Sequence, residues 1–312
     1  MDSREPHADH PPPAKRARRS SSPPPGAASS SNGHAPHAPA LPPLSLSILG
    51  VEPLDEFIRE IADFVHHMIM TRPEGSGSVE VEAKVGVLRD KMSGQRLQLP
   101  VLVETILAPN SIDCRFESNM TAMQHKHYNQ LLNNLKATSP SGSSPLAYEH
   151  LRLVDSFYAP DNPRERERIR VTRDEKTGAV HECVRKVRLG DLDIYSPKRA
   201  ADWRISVNIE IPVPPPLGTP THTRRKDRMS YSHEEFVVDL TQVTSSSGPN
   251  SKPEILHELE VEVARPEYLL ATAARRGDPT APEHERGAFD ELIRAFVNNA
   301  RILVRNARDS WQ

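Results

Sequence analysis

Polar and apolar residues alternate strictly in two segments that lie far apart in the chain. In HELEVEV, aliphatic residues separate Glu258, Glu260 and Glu262, and in SVEVEAKVGV they separate Glu80 and Glu82. Because successive side chains of an extended strand point to opposite faces, each segment predicts a strand with one carboxylate face and one apolar face.

These two predicted strands indicate a metal site if they lie side by side. Five carboxylates would then face one another, and only cations or protonation would relieve their repulsion. The alternative for either strand alone is an ordinary half-buried strand whose charged face contacts solvent. The remaining strands favour the metal site, because their polar faces carry arginine and lysine at the same alternation.

The same alternation predicts nine or ten strands along the chain. Besides the two glutamate strands, they occupy segments near 96–107, 112–117, 166–173, 180–189, 203–211, 224–230 and 238–241. Polar residues on the faces of the downstream strands are Arg170, Lys186, Glu210, Arg224, Lys226, Arg228, Asp239 and Thr241.

Apolar residues at helical spacing predict helices after Pro53, after Ser118, near 266–275 and from Glu283. Strands with one charged face suit either a sandwich whose charges face water or a closed barrel whose charges face inward. The helices favour the barrel, because their apolar stripes need a surface to cover. The predicted fold is mainly β with flanking helices (α+β), a closed antiparallel β-barrel tunnel with a charged lumen.

Composition separates the start of the chain from the rest. Residues 1–45 hold 11 of the 30 prolines in the 312-residue sequence, so we expect a disordered Pro/Ser/Ala-rich tail there and a catalytic domain over 46–312. The basic cluster KRARR in this tail is interpreted as a nuclear import signal or as a solvated run of charge.

Other global features exclude several classes of protein. The sequence has two cysteines, no apolar signal core and no apolar run of membrane length, which predicts an intracellular soluble protein without membrane contact. Outside the tail, the remaining 267 residues carry 35 basic and 39 acidic residues, a net charge of −4, which argues against a general polyanion binder.

Acidic residues beside arginine and lysine are the arrangement that a phosphate chain with a divalent cation requires. Mg²⁺ and Mn²⁺ prefer carboxylate oxygens, and arginine binds phosphate oxygens in pairs. Phosphoryl transfer then needs positioning, charge neutralisation and one carboxylate that orients water. A separate acidic pair, Asp191 and Asp193, is predicted to lie in an ordinary turn.

Several segments together resemble one family. SVEVEAKVGV, RIRVT, KVRLGDLDIYSP, RISVNIEIPVP, RRKDRMSY and HELEVEV are similar to the fungal mRNA-capping RNA 5′-triphosphatases, the beta subunits of the capping apparatus. These enzymes are triphosphate tunnel metalloenzymes, whose fold is an antiparallel barrel with a charged lumen. The resemblance extends over roughly residues 45 to 308.

The resemblance implies roles for individual residues. Glu80, Glu82 and Glu262 would ligate the metal directly, and Glu258 and Glu260 would support its water ligands. The residues implied to hold the triphosphate are Arg170, Lys186, Arg224, Lys226 and Arg228, of which Lys226 and Arg228 would lie nearest the γ-phosphate. Glu210 would orient the attacking water. Asp239 and Thr241 would complete the floor of the site. The alternative for each basic residue is an exposed strand charge of little energetic value.

The sequence departs from the family pattern in two places. Val237 occupies a position where family members carry arginine, so one cationic wall contact is missing or comes from elsewhere. The tail before residue 50 contains no tryptophan, since Trp203 and Trp311 are the only two in the chain. A tryptophan-containing peptide that docks the mRNA guanylyltransferase in some relatives is therefore absent, and a homodimer is expected from the resemblance alone.

Three hypotheses for function result. The first is a nuclear, metal-dependent mRNA 5′-triphosphatase that uses Mg²⁺ or Mn²⁺ to remove the γ-phosphate from triphosphate-ended nascent RNA, which leaves a diphosphate end for capping. The second keeps the fold and changes the substrate to a free nucleoside triphosphate or polyphosphate. The third is a non-catalytic phosphate-binding module, in which Glu80→Ala would change only stability.

Overall fold

The computed structural model describes residues 43–52, 55–73, 75, 77–139, 144–160, 166–246 and 252–308. The chain divides into two compact units, Met1–Glu52 and Pro53–Gln312. Most of the predicted disordered tail, 1–45, lies outside the described residues, as does Pro53. In the described part of the first unit, the Ser47 hydroxyl donates to the Val51 carbonyl oxygen at 2.5 Å.

The second unit contains ten strands and four helices within the described residues. In chain order they are α1 (Glu56–Met70), β1 (Ser78–Asp90), β2 (Thr105–Leu107), β3 (Cys114–Glu117), α2 (Ala122–Thr138), β4 (Ala147–Tyr158), β5 (Ile169–Asp174), β6 (Val180–Tyr195), β7 (Asp202–Pro212), β8 (His222–His233), β9 (Phe236–Ser246), β10 (Glu254–Val263), α3 (Pro266–Arg275) and α4 (Glu283–Arg305). No described helix is both long enough and apolar enough to span a membrane.

Eight of these strands close into an antiparallel barrel. Neighbouring strands follow the order β10-β9-β8-β4-β5-β6-β7-β1, and β1 also pairs with β10. Along this closing pair, Glu82 lies opposite Glu262 and Lys84 lies opposite Glu260. The prediction of a closed antiparallel barrel is therefore confirmed, and the two glutamate strands are neighbours.

The apolar faces of the barrel strands pack against the helices. Val81 and Val85 of β1 are buried in one cluster with Val65 of α1 and with Phe289 and Phe296 of α4. Helices α1, α3 and α4 contact one another and also contact strands of the barrel. Because alternate residues of a strand point to opposite faces, the charged positions between these apolar residues point away from the helices.

The strand predicted at 96–107 is wrong over most of its length. Only Thr105–Leu107 forms a strand, which pairs with β6. The Arg96 guanidinium donates to both carboxylate oxygens of the buried Asp202, at 2.6 and 2.9 Å. Leu97 is buried in a small satellite cluster. The apolar alternation in this segment thus reflects packing on the barrel, and outside β2 its pairing is limited to one isolated bridge between Arg96 and Arg89 of β1.

The register of β6 against β7 shifts between Arg188 and Gly190. A Cβ atom at Gly190 would lie 2.8 Å from the sulfur of Met68, so glycine permits the close approach of α1. Asp191 and Asp193 follow within β6, which corrects the predicted turn. Arg204 donates two hydrogen bonds to Asp193, at 2.6 and 2.8 Å, so this acidic residue serves a structural ion pair.

Candidate active site

A cavity of about 690 Å³ lies among the strand faces that the helices do not cover, and side chains from seven of the eight barrel strands line it. Its carboxylates are Glu80, Glu82, Asp155, Glu182, Glu210, Glu258, Glu260 and Glu262. Its basic or imidazole side chains are Lys84, Arg168, Arg170, His181, Lys186, Arg188, His222, Arg224, Lys226 and Arg228. The closed barrel therefore surrounds a cavity whose lining is mostly charged.

The carboxylates of β1 and β10 form one wall of this cavity. Glu260 accepts a hydrogen bond from Lys84 at 2.6 Å, and the same ammonium group lies 3.3 Å from Glu82. Lys186 contacts Glu80 and lies 3.4 Å from Glu82. Burial alone would lower the pKa of Lys84, but the charges of the neighbouring glutamates outweigh it and hold this pKa above its usual value. Two charged lysines therefore neutralise part of the wall.

Glu262 is the carboxylate that the lysines leave uncompensated. It lies opposite Glu82 across the β1–β10 pair, and it makes no ion pair with any of the described residues. Burial, followed by the charges of nearby carboxylates such as Glu80 and Asp239, raises the pKa of Glu262 to about 8. Its cross-strand partner on β9 is the aliphatic Val237. A cation beside Glu262 would relieve this repulsion.

The predicted metal ligands lie together, but the described residues contain no group of three or more His, Cys, Asp or Glu side chains arranged to hold a metal ion. Instead, the ammonium groups of Lys84 and Lys186 each contact two of these carboxylates. The donor set still fits a hard divalent cation, because its members are all carboxylates and Glu262 makes no ion pair with any described residue.

Four basic residues around the cavity are each paired with a carboxylate. The pairs are Arg170 with Glu210 at 2.8 Å, Lys226 with Asp155 at 2.5 Å, Arg228 with Asp239 at 2.8 Å, and Arg224 with Glu258 at 3.1 Å. Charge-assisted bonds of this kind form equally well with phosphate oxygens. A phosphate chain in the cavity would therefore meet four cations that can exchange a carboxylate partner for a phosphate.

Lys226 and Asp155 form the most buried of these four pairs. Asp155 is fully buried and also accepts a hydrogen bond from the Thr172 hydroxyl at 2.8 Å. Burial holds the pKa of Lys226 below its usual value, although the charge of Asp155 opposes this shift. Burial would raise the pKa of Asp155, but Lys226 and the hydrogen bonds outweigh it and keep that pKa low. The charge on Lys226 therefore depends on Asp155.

Asp239 and Thr241 belong to β9, the strand that pairs with β8 and its basic residues. Asp239 contacts Arg228 and accepts a hydrogen bond from the Ser230 hydroxyl at 2.6 Å. The hydroxyl oxygen of Thr241 is buried without a hydrogen-bond partner among the described residues, and Thr241 lies opposite both Arg228 and Glu258. Both residues are thus placed to support the cavity wall, and their role as its floor stays a prediction.

Several polar residues of the cavity region are absent from the sequence prediction, among them Asn208 and Asp155. The side-chain amide of Asn208 donates to Glu80 at 2.9 Å and to Glu82 at 3.3 Å. Asn208 and Glu210 lie two positions apart on β7, so the alternation could have placed Asn208 on the same strand face as Glu210. Asp155 gave no such signal, because its neighbours on the same strand face are Leu153 and Phe157.

Comparison with known proteins agrees with this geometry. A family model described as mRNA capping enzyme, beta chain, matches residues 51–309. The mRNA-capping enzyme subunit beta of Schizosaccharomyces pombe is 37% identical over 271 residues, which are 85% of this chain and 86% of that protein. The Cryptococcus neoformans subunit beta is 35% identical over 273 residues, which are 85% of this chain and 65% of that protein.

A solved structure shows the same fold. The S. pombe Pct1 RNA triphosphatase matches with a TM-score of 0.76 and 36% sequence identity, covering 86% of this chain and 100% of that chain. The family match begins before α1 and ends after α4, so it includes every barrel strand and all the residues that line the cavity. This chain belongs to the mRNA-capping enzyme beta chain family.

Proposed function

We propose that this protein removes the γ-phosphate from the triphosphate 5′ end of nascent mRNA and leaves a diphosphate end for capping. The observation that carries the proposal is one cavity with two kinds of wall, carboxylates from β1 and β10 and basic residues from β5, β6 and β8. A triphosphate chain with a divalent cation needs both. The relationship to an RNA triphosphatase of known structure supports the same activity.

The proposed cofactor is a divalent cation, Mg²⁺ or Mn²⁺. Glu80, Glu82 and Glu262 would hold it directly, and Glu258 and Glu260 would act through its water ligands. The bound cation would supply charge neutralisation at the phosphate oxygens and at this carboxylate wall. The support for this cofactor is the all-carboxylate donor set, together with the absence of an ion pair between Glu262 and any residue that the structure describes.

The basic residues bind and orient the triphosphate in this proposal. Lys226 and Arg228 hold the γ-phosphate, and the other cations, Arg170, Lys186 and Arg224, hold the rest of the chain. Arg224 and Arg228 exchange a carboxylate partner for phosphate oxygens, which costs little because one charge-assisted bond replaces another. Arg170 exchanges Glu182 and keeps its contact with Glu210.

Glu210 orients the water that attacks the γ-phosphorus and accepts its proton. The new bond joins the water oxygen to the γ-phosphorus, and the bond from that phosphorus to the β,γ-bridging oxygen breaks. The products are inorganic phosphate and a diphosphate-ended RNA. Arg170, which contacts Glu210 at 2.8 Å, fixes the orientation of this carboxylate.

We place this reaction in the nucleus, where nascent mRNA is made, and its diphosphate product is the substrate of the mRNA guanylyltransferase. A homodimer is proposed from the family relationship. Light scattering of the full chain tests the dimer, and a pull-down with the guanylyltransferase tests direct contact. A monomeric mass would rule out the dimer under the conditions used.

Release of labelled γ-phosphate from a short triphosphate-ended RNA tests the activity. We expect release with Mg²⁺ or Mn²⁺, none with a chelator, and a loss of at least about a hundredfold in Glu80→Gln. Glu254→Gln, at an exposed site on β10, is the matched control. Equal rates for wild type and Glu80→Gln would contradict the proposal, and faster release from ATP than from RNA would favour the second hypothesis.

A further inference from the structure

Two aromatic rings are stacked at the rim of the barrel. Phe157 lies near the end of β4 and His222 at the start of β8, and the two residues are cross-strand partners. Their ring centroids are 4.3 Å apart and their planes differ by 2°. Both side chains are half-buried and both line the charged cavity. Neither residue has a part in the phosphate chemistry proposed above.

Hydrogen bonds fix the position and the protonation of this stack. Arg168 donates to Nδ1 of His222 at 3.0 Å. A guanidinium group can only donate, so Nδ1 carries no proton and the imidazole is neutral with its proton on Nε2. Burial and the charges of Arg168 and Arg224 lower the pKa of His222 in agreement. The Thr221 hydroxyl also donates to the Phe157 carbonyl oxygen at 3.0 Å, which ties the two strand ends together.

The stack lies in line with the proposed phosphate-binding residues. On β8, His222 is followed on the same face by Arg224, Lys226 and Arg228, all of which line the cavity. Lys226 lies four positions after His222 along the extended strand, a distance on the order of 13 Å. If the γ-phosphate is held by Lys226 and Arg228, the nucleoside lies at the other end of the triphosphate, toward the rim.

We infer that the Phe157–His222 stack is a binding site for the base of the first RNA nucleotide. A flat, neutral aromatic surface stacks on any base, because every base has a π-face. Such a site needs no base-specific hydrogen bonds, so it would accept transcripts that begin with different nucleotides. The inference deepens the proposed function, on which it rests, by adding a contact that inorganic triphosphate cannot make.

Removal of the base from the substrate tests this site. The probes are a short triphosphate-ended RNA and the same RNA with an abasic first nucleotide. We expect wild type to favour the complete RNA by about five- to a hundredfold in kcat/KM and in affinity. In Phe157→Leu, which keeps an apolar side chain but removes the ring, this ratio should fall toward one. In Phe157→Trp, which keeps a flat ring, it should persist.

Two further variants distinguish the loss of base stacking from the loss of an aromatic side chain elsewhere on the barrel. His222→Leu removes the other ring and should also reduce the ratio. Tyr148→Leu, an exposed aromatic position at the opposite end of β4, should leave it as in wild type. A ratio near one in wild type, or an undiminished ratio in both ring-removing variants, would overturn the inference.

Measurement of affinity by fluorescence anisotropy keeps this test independent of catalysis. If wild type bound RNA but released no phosphate from it, the proposed function would fail while the affinity ratio still decided the role of the stack. If wild type hydrolysed RNA but ignored the base, only the stack would be refuted.

Discussion

The carboxylate of Asp155 lies 2.5 Å from the ammonium group of Lys226, and Asp155 has no solvent exposure. A buried charge of this kind is stable only while its partner is also charged. Lys226 is among the residues proposed to hold the γ-phosphate, so its charge matters for catalysis as well as for stability. Asp155 is thus a positioning residue that acts through Lys226.

Replacement of Asp155 by asparagine should uncouple this pair. The lost ion pair should lower the free energy of unfolding by about 3–5 kcal/mol. Without the Asp155 charge the pKa of Lys226 should fall further, so activity should decline at a lower alkaline pH than in wild type. The pH profile of kcat/KM for RNA checks this effect, and an unchanged alkaline limb would contradict it.

The stability effect of Asp155→Asn should itself depend on pH. The pKa of Asp155 is lower in the folded state than the ordinary value of 3.8, so its stabilisation is present above that value and is lost as the pH falls through the folded-state pKa. The difference in unfolding free energy between wild type and Asp155→Asn should therefore shrink below about pH 4. Urea unfolding at pH 7 and at pH 3.5 measures it.

Replacement of Glu262 by glutamine should stabilise the protein in a chelating buffer. Its pKa of about 8 exceeds the ordinary 4.5, so ionisation of Glu262 carries a penalty that is fully present above pH 8 and absent below 4.5. We expect Glu262→Gln to raise Tm by about 2–5 °C at pH 9 and by little at pH 5. Glu260→Gln should lower Tm, because Lys84 loses its partner at 2.6 Å.

These two variants are chemically matched, since each converts one glutamate of β10 to its neutral isostere. Thermal unfolding by circular dichroism distinguishes them. A decrease in Tm for both at pH 9 would show that Glu262 has a compensating partner after all.

An arginine in place of Val237 should pair with Glu262. The two positions are cross-strand partners on β9 and β10, and such neighbours share a face of the sheet. We expect Val237→Arg to raise Tm in the chelating buffer. In a double-mutant cycle this gain should largely disappear when Glu262 is already glutamine. Additive effects of the two substitutions would contradict a direct contact.

Glu210→Gln tests the proposed orientation of the attacking water. Removal of a catalytic base typically costs about 10²- to 10⁴-fold, here expected in kcat with little change in KM. Arg170 contacts both Glu210 at 2.8 Å and the exposed Glu182 at 3.0 Å, so Glu182→Gln is the matched control. If Glu210 merely held Arg170, single-turnover rates of the two variants would fall by similar amounts.

Strand alternation predicted the faces of this barrel well, because one carboxylate or cation at every second residue is hard to mistake. Glu80, Glu82, Glu260 and Glu262 lie on one wall as that pattern requires. The pattern could not show which charges neutralise one another. Contact of Lys84 with two glutamates depends on strand register, which no single strand encodes.

Asp155 and the segment near Leu97 both differ from what the sequence pattern predicts, each for a physical reason. Asp155 escaped notice because two apolar side chains flank it on its strand face, and only tertiary contact with Lys226 reveals its importance. The segment near Leu97 resembles a strand because Leu97, Leu99 and Val101 pack against one cluster at every second position. One isolated bridge between Arg96 and Arg89 and the two hydrogen bonds from Arg96 to Asp202 hold this segment, without an extended backbone ladder.

Pairing of β1 with β10 also determines when the site can form during synthesis. Lys84 and Glu260 are 176 positions apart in the sequence. The chain entropy lost in joining them is offset by favourable contacts only after nearly all the intervening strands have formed. On a ribosome the carboxylate wall stays divided until Val263 has left the exit tunnel. Chains truncated before β10 should therefore lack activity completely.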